Sequence, residues 1–234
     1  MGNQEVQKTE QSVSSLAQRR MILNESSPFA LQEAYKTLRT NIRFALRGNA
    51  CKKFCVTSGM PGEGKSITIL NLAISFAEAG QKVLLVDADL RRPALARLLV
   101  EKPAPGLSNV LAGLNTPEEA IRIEVRPNLD ILFCGDTPPN PSELLGSEKM
   151  MEFVEQMSQK YDYILIDTPP VNVVSDACIV AGLLDGVLLL ARKDRSNKES
   201  IKKAVNQLQL TGAKLLGFIL NGVTVEEKNV YRYE

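Results

Sequence analysis

The 234-residue chain contains no histidine and no tryptophan, and only four cysteines. Without histidine, imidazole-based general acid–base chemistry and His-ligated zinc are excluded, so any proton transfer falls to a carboxylate, a lysine or the substrate. Cys51, Cys55, Cys134 and Cys178 show no C-x-x-C spacing. The last three lie in or beside apolar runs, which fits small buried hydrophobes rather than a metal site. Neither sign of charge is in excess: 28 Lys and Arg against 27 Asp and Glu leave a net charge of +1. That balance gives no electrostatic case for a nucleic-acid partner. No apolar run approaches the roughly eighteen residues of a membrane span. The polar N-terminus has no signal-peptide core, and Val6 stands where N-myristoylation needs Ser or Thr. The expectation is a soluble, cytoplasmic protein. At 44% hydrophobic residues, the length suits one large domain with a substantial core.

Against these absences stands one dense motif. Gly59-Met60-Pro61-Gly62-Glu63-Gly64-Lys65-Ser66 fits G-x-x-x-x-G-K-[ST], the phosphate-binding loop of nucleotide triphosphatases. Glycines let backbone N–H groups approach phosphate oxygens with no Cβ in the way. Lys65 is expected against the β and γ phosphates, and the Ser66 hydroxyl on Mg²⁺. A β-rich apolar run, residues 53–58, precedes the loop. Residues 66–74, beginning Ser66-Ile67, open a helix whose N-terminal dipole favours an anion.

Residues 1–27 are polar and read as a flexible arm, with a short helix near 14–23. Leu31, Ala34, Tyr35, Leu38, Ile42 and Ala45 recur at three- and four-residue steps, predicting a helix over 28–46. Strands are expected at 81–87, 129–134, 161–167, 186–191 and 214–220, several of them nearly continuous apolar runs suited to burial on both faces. Helices are expected at 142–160 with Ser142 as N-cap, 175–184 and 197–210. This alternation predicts an α/β doubly wound, mostly parallel sheet with helices on both faces. Residues 28–222 form its domain, and 223–234 a polar, tyrosine-bearing tail.

Two apolar strands end in carboxylates. Ile164-Leu165-Ile166-Asp167 has the form of a Walker B, in which the aspartate holds Mg²⁺ directly or through water. Val83-Leu84-Leu85-Val86-Asp87-Ala88-Asp89-Leu90-Arg91-Arg92-Pro93 ends in D-x-D-x-R. Carboxylates at the carboxyl ends of parallel strands face the ligand crevice. Asp87 and Asp89 are therefore candidates to orient an attacking hydroxyl or water and to support the metal; the alternative is a pair of turn-forming aspartates.

These motifs, in this order, resemble the bacterial tyrosine kinases, relatives of the MinD and ParA partitioning ATPases within the P-loop NTPases. The resemblance spans about residues 28–222. Ser58–Ser66 is similar to the family's Walker A, Val86–Pro93 to its Walker A′, and Ile164–Pro170 to its Walker B. The segment Gly135-Asp136-Thr137-Pro138-Pro139-Asn140-Pro141-Ser142-Glu143-Leu144-Leu145 resembles a further family stretch whose role the residues do not reveal. A MinD- or ParA-type loop carries an early second lysine; here that position is Met60. Glu33, Lys36 and Arg39 resemble an E-x-x-R-x-x-R self-association motif, with lysine in place of the first arginine, and their spacing sets them along one side of a helix.

The resemblance implies an ATP- and Mg²⁺-dependent protein-tyrosine kinase that autophosphorylates in trans. Its nucleotide contacts are Gly59, Pro61, Gly62, Glu63, Gly64, Lys65, Ser66, Ile67 and Asn221; its metal ligands are Ser66, Asp87 and Asp167. Lys65, Asp87 and Asp89 are the catalytic group, and Tyr231 and Tyr233 the phosphoacceptors. Implied partners are the cytoplasmic tail of a membrane-anchored polysaccharide co-polymerase, which recruits the chain to the inner face of the membrane, further copies in a homo-oligomeric ring, and a phosphotyrosine phosphatase. Capsular or exopolysaccharide synthesis and export is the implied process. The alternatives are a MinD/ParA-like ATPase and a nucleotide-gated scaffold of the polysaccharide machinery.

Overall fold

A computed structural model describes residues 19–48 and 50–223. Tyr231 and Tyr233 lie outside the described residues. Seven strands form one sheet: β1 (Lys52–Ser58), β2 (Val83–Asp87), β3 (Arg122–Arg126), β4 (Leu129–Leu132), β5 (Tyr163–Asp167), β6 (Gly186–Arg192) and β7 (Leu215–Asn221). Their order is β3-β4-β2-β5-β1-β6-β7. Every pairing is parallel except β3 with β4.

The central strands are buried along their length because helices cover both faces. On one side lie α1 (Phe29–Ala45), α2 (Lys65–Glu78) and α3 (Leu95–Leu99); Ile42, Ile69, Phe76 and Leu98 pack there with Phe54, Leu85 and Leu165. The other side carries α4 (Leu107–Leu111), α5 (Pro117–Ala120), α6 (Pro141–Leu145), α7 (Glu148–Ser158), α8 (Asp176–Ala181) and α9 (Lys198–Leu210), over Leu84, Val86, Ile164 and Ile166. Alternate residues of β2 and β5 thus feed opposite cores, as the strand period requires. The doubly wound α/β fold expected from the sequence is the one found.

Three local readings are corrected. The helix expected over 142–160 is two, α6 and α7: Gly146 ends the first, and Ser147 takes an extended backbone (φ −75°, ψ 158°) before the second begins. Pro141 is the first residue of α6, so Asn140 rather than Ser142 holds the cap position. The short charged strand β3 was not foreseen. It forms a hairpin with β4 across Pro127-Asn128, with Asn128 left-handed at φ 63°, a conformation asparagine tolerates. Finally, part of the expected N-terminal arm is packed. Ile22 and Leu23 are buried with the α1–α2 face, and Asn71 of α2 accepts from the Leu23 N–H (2.8 Å) and donates to the Met21 carbonyl (2.8 Å).

Candidate active site

The phosphate loop lies between β1 and α2, at the carboxyl edge of the sheet. Gly62 and Gly64 adopt φ 78° and 101°, which suit glycine. A Cβ on Gly62 would meet the Arg195 guanidinium at 2.9 Å, and one on Gly64 would collide with the Asn221 side-chain amide. Gly64 is also the N-cap of α2, so Lys65 and Ser66 are its first residues. Their backbone N–H groups are among those a helix leaves without intrahelical partners. An anion is the natural complement of that end.

The loop is braced by Asn221, which the sequence singles out, and by Arg192, Arg195 and Ser196, which it does not. Arg192 and Arg195 both donate to the Gly62 carbonyl, at 3.1 and 3.0 Å. Ser196 donates to the Glu63 carboxylate, which also accepts from the Met60 N–H at 2.9 Å. Asn221, at the end of β7, donates to the Glu63 carbonyl at 2.9 Å. Glu63 is consequently buried despite its charge. The R-x-x-R-S spacing at 192–196 after an apolar strand was a visible but weak signal.

The two acidic strand ends meet across the sheet. β2 and β5 pair so that Asp87 stands opposite Asp167, and both are fully buried. The Asp87 oxygens accept the backbone N–H groups of Asp89 (3.2 Å) and Leu95 (3.3 Å). Asp89, almost as covered, accepts from the Arg92 N–H at 3.0 Å. Neither carboxylate oxygen of Asp167 has a hydrogen-bond partner. Burial pushes the Asp167 carboxyl up to about 6, although the Lys65 ammonium and then the nearby Ser66 hydroxyl pull it down. Burial likewise holds Asp87 well above the usual carboxylate range, with the charges of Asp167 and Asp89 adding to the rise.

Two orphaned carboxylate oxygens beside a lysine and a serine hydroxyl are a polar site awaiting a partner. Hard oxygen donors of this kind fit Mg²⁺, which takes one or two protein carboxylates and completes its shell with water and phosphate oxygens. Among the described residues no three His, Cys, Asp or Glu side chains form a metal cage by themselves. The arrangement suits a metal that arrives with a nucleotide.

Further sequence candidates fall elsewhere. Lys36 pairs with Glu33 at 2.7 Å along α1, both half exposed. Arg39 turns inward instead, donating to the carbonyl and hydroxyl of Ser75 on α2. A cavity of about 510 Å³, lined by Arg43, Phe44, Arg47, Lys52 and Tyr163 among others, opens at the amino edge of the sheet, opposite the phosphate loop.

Residues 52–208 match the family model described as an AAA domain. The chain is 40% identical over 215 residues to tyrosine-protein kinase YwqD of Bacillus subtilis (strain 168), covering 92% of this chain and 91% of that one. The chain belongs to the bacterial tyrosine kinases. Putative tyrosine-protein kinase CapB of Staphylococcus aureus is 34% identical over 213 residues, 91% of this kinase and 93% of the relative. Among solved structures, the BceF tyrosine kinase domain superposes with a TM-score of 0.81 at 36% identity, covering 95% and 90% of the two chains. The septum site-determining protein MinD complexed with Mg-ADP, from Pyrococcus horikoshii, is more distant: TM-score 0.64 at 30% identity, over 76% and 73%. The kinase therefore has the P-loop NTPase fold, and its loop is a nucleotide-binding one. Among the described residues no helix is long and apolar enough to cross a membrane.

Proposed function

We propose that this chain transfers the γ-phosphoryl group of ATP to tyrosine hydroxyls, including Tyr231 and Tyr233 of a neighbouring copy. The observation that carries the proposal is the meeting of Lys65, Asp87, Asp89 and Asp167 at one sheet edge beside the phosphate loop. Backbone N–H groups of residues 62–66 cradle the phosphates, with Gly59, Pro61 and Ile67 completing the wall and Asn221 beside the adenine. Lys65 neutralises charge that grows on the transferred group. Ser66, Asp87 and Asp167 would hold Mg²⁺, whose charge offsets that of the phosphates. Asp87 and Asp89 orient the acceptor hydroxyl. Asp87 receives the phenolic proton as the bond from the γ-phosphorus to the tyrosine oxygen forms and the bond to the ADP oxygen breaks.

The process served is capsular or exopolysaccharide synthesis and export. The family resemblance supports a cytoplasmic chain recruited and activated by the tail of a membrane-anchored co-polymerase, and reset by a phosphotyrosine phosphatase. Copies associate in a ring through α1, where Glu33 and Lys36 remain half exposed while Arg39 steadies α1 on α2.

Incubation with labelled ATP and Mg²⁺, with and without such an activator tail, tests the reading. Label on Tyr231 or Tyr233 that disappears in Lys65→Met is the expected result. Phosphate release with no labelled protein, in both conditions, would overturn it in favour of a partitioning-type ATPase.

A further inference from the structure

The segment 135–145 and the arginine after D-x-D have no part in the chemistry above, yet they meet. Arg91 donates from Nε to Asp176 Oδ2 at 2.8 Å, and from one terminal nitrogen to Asp176 Oδ1 at 3.1 Å. The same nitrogen donates to Ser142 Oγ at 2.8 Å, and Ser142 in turn donates to Asp176 Oδ1 at 2.6 Å. Asp176 is fully buried, whereas the Arg91 side chain is 38% exposed. A planar guanidinium holding a buried carboxylate by two bonds fixes orientation as well as distance.

The three residues belong to three separate connections at the carboxyl edge. Arg91 lies two residues beyond Asp89, on the loop leaving β2. Asp176 is the first residue of α8, reached from Asp167 through Thr168-Pro169-Pro170. Ser142 is on α6, within the segment 135–145. That segment is fastened at its start: Ser108 donates to the Asp136 carbonyl at 2.6 Å, and Asn109 to its carboxylate at 2.7 Å. A Cβ on Gly135 would collide with both Ser108 and Asn109. Ser142 is thus presented by a rigid strap.

We propose that Arg91 is a positioning residue for phosphotransfer, locking the loop of Asp87 and Asp89 to the connection that follows Asp167 through Asp176, with Ser142 as the third point. Among the described residues, the two acidic arms are also joined by the β2–β5 ladder and by a backbone bond from the Ala88 N–H to the Asp167 carbonyl (2.9 Å). The latch acts on the loops beyond the strand ends: Asp87 and Asp167 themselves are held in register by the β2–β5 ladder, and the phosphate loop has its own braces in Arg192, Arg195 and Asn221. Its loss should therefore lower kcat and leave nucleotide affinity nearly untouched. The segment 135–145 gains a role from this: it delivers Ser142.

The proposal rests on the kinase reading, and its test separates the two. Arg91→Lys, Ser142→Ala and Ser142→Thr are compared with wild type for phosphate incorporation, ATP affinity and thermal stability. A misplacement near 1 Å costs up to about 100-fold in rate. Arg91→Lys and Ser142→Ala should lose roughly 10- to 100-fold in kcat with ATP affinity within about threefold, and Ser142→Thr, which keeps the hydroxyl, should recover most of the rate. Folded Arg91→Lys with wild-type kcat overturns the latch, as does a loss of kcat matched by an equal loss of ATP affinity. If wild type itself transfers no phosphate, the kinase reading fails instead. Hydrogen exchange then decides the latch: faster exchange of the 88–92 amides in Arg91→Lys is expected, and unchanged protection refutes it.

Discussion

At the scale of single residues, the fold maintains carboxylates where they ionise reluctantly. Burial pushes the Asp167 carboxyl up to about 6 in the folded chain, from the ordinary value of 3.8 that an unfolded chain restores. Its folded form therefore binds the proton more tightly, and stability falls as pH rises between those two values. In the nucleotide-free protein, the melting temperature of wild type should drop relative to Asp167→Asn across about pH 4 to 6, as read by calorimetry in matched buffers. Mg²⁺ with nucleotide should reverse the drop, since a ligand of the folded state stabilises it by mass action. Gly64 is the second sensitive point. Gly64→Ala places a side chain at φ 101° and against the Asn221 amide. Strain of about 1–3 kcal/mol should weaken nucleotide binding roughly tenfold or more, measurable by titration calorimetry.

Among the elements, α2 does double duty: its first turn faces the phosphates, and its middle ties down the chain that precedes α1. Asn71 is buried and exchanges bonds with Met21, Leu23 and the Tyr35 hydroxyl. Asn71→Leu leaves those backbone groups unsatisfied and should cost about 2 kcal/mol or more. It should also speed tryptic cleavage after Arg20, followed by gel and mass spectrometry. Motif-bearing elements were legible in the sequence because their residues carry local constraints: glycines in the loop, apolar strands ending in Asp87 and Asp167, an asparagine cap at Asn197 that accepts from Ser200 N–H at 2.7 Å. The break at Gly146-Ser147 was hidden inside an amphipathic run that reads equally well as one helix. Strand β3 was hidden because an exposed edge strand needs no apolar pattern. The Arg91–Ser142–Asp176 junction joins residues 34 to 85 positions apart, so no local signal marks it; only the packed loops bring it into being.

For the molecule as a whole, the sheet separates a chemical edge from a supporting one. Phosphate loop, acidic strand ends and latch all occupy the carboxyl edge, where strands β2, β5 and β1 stand side by side. If phosphotransfer runs between copies, the rate per subunit should climb with protein concentration in dilute solution and level off once rings assemble. Sedimentation and phosphorylation time courses on the same dilution series check this; a rate independent of dilution throughout would point to reaction within one chain. In the proposed transfer between copies, Asn221 would give that plateau a structural origin. That residue both braces the phosphate loop and ends the last strand, so the chain beyond it sets out from the mouth of a nucleotide site. A tyrosine ten residues farther along reaches at most about 33–36 Å. Within the proposed ring, such a tether would hold each acceptor at an effective concentration near the millimolar range for the adjoining site. Geometry, rather than the amount of kinase in the cell, would then set how often donor and acceptor meet.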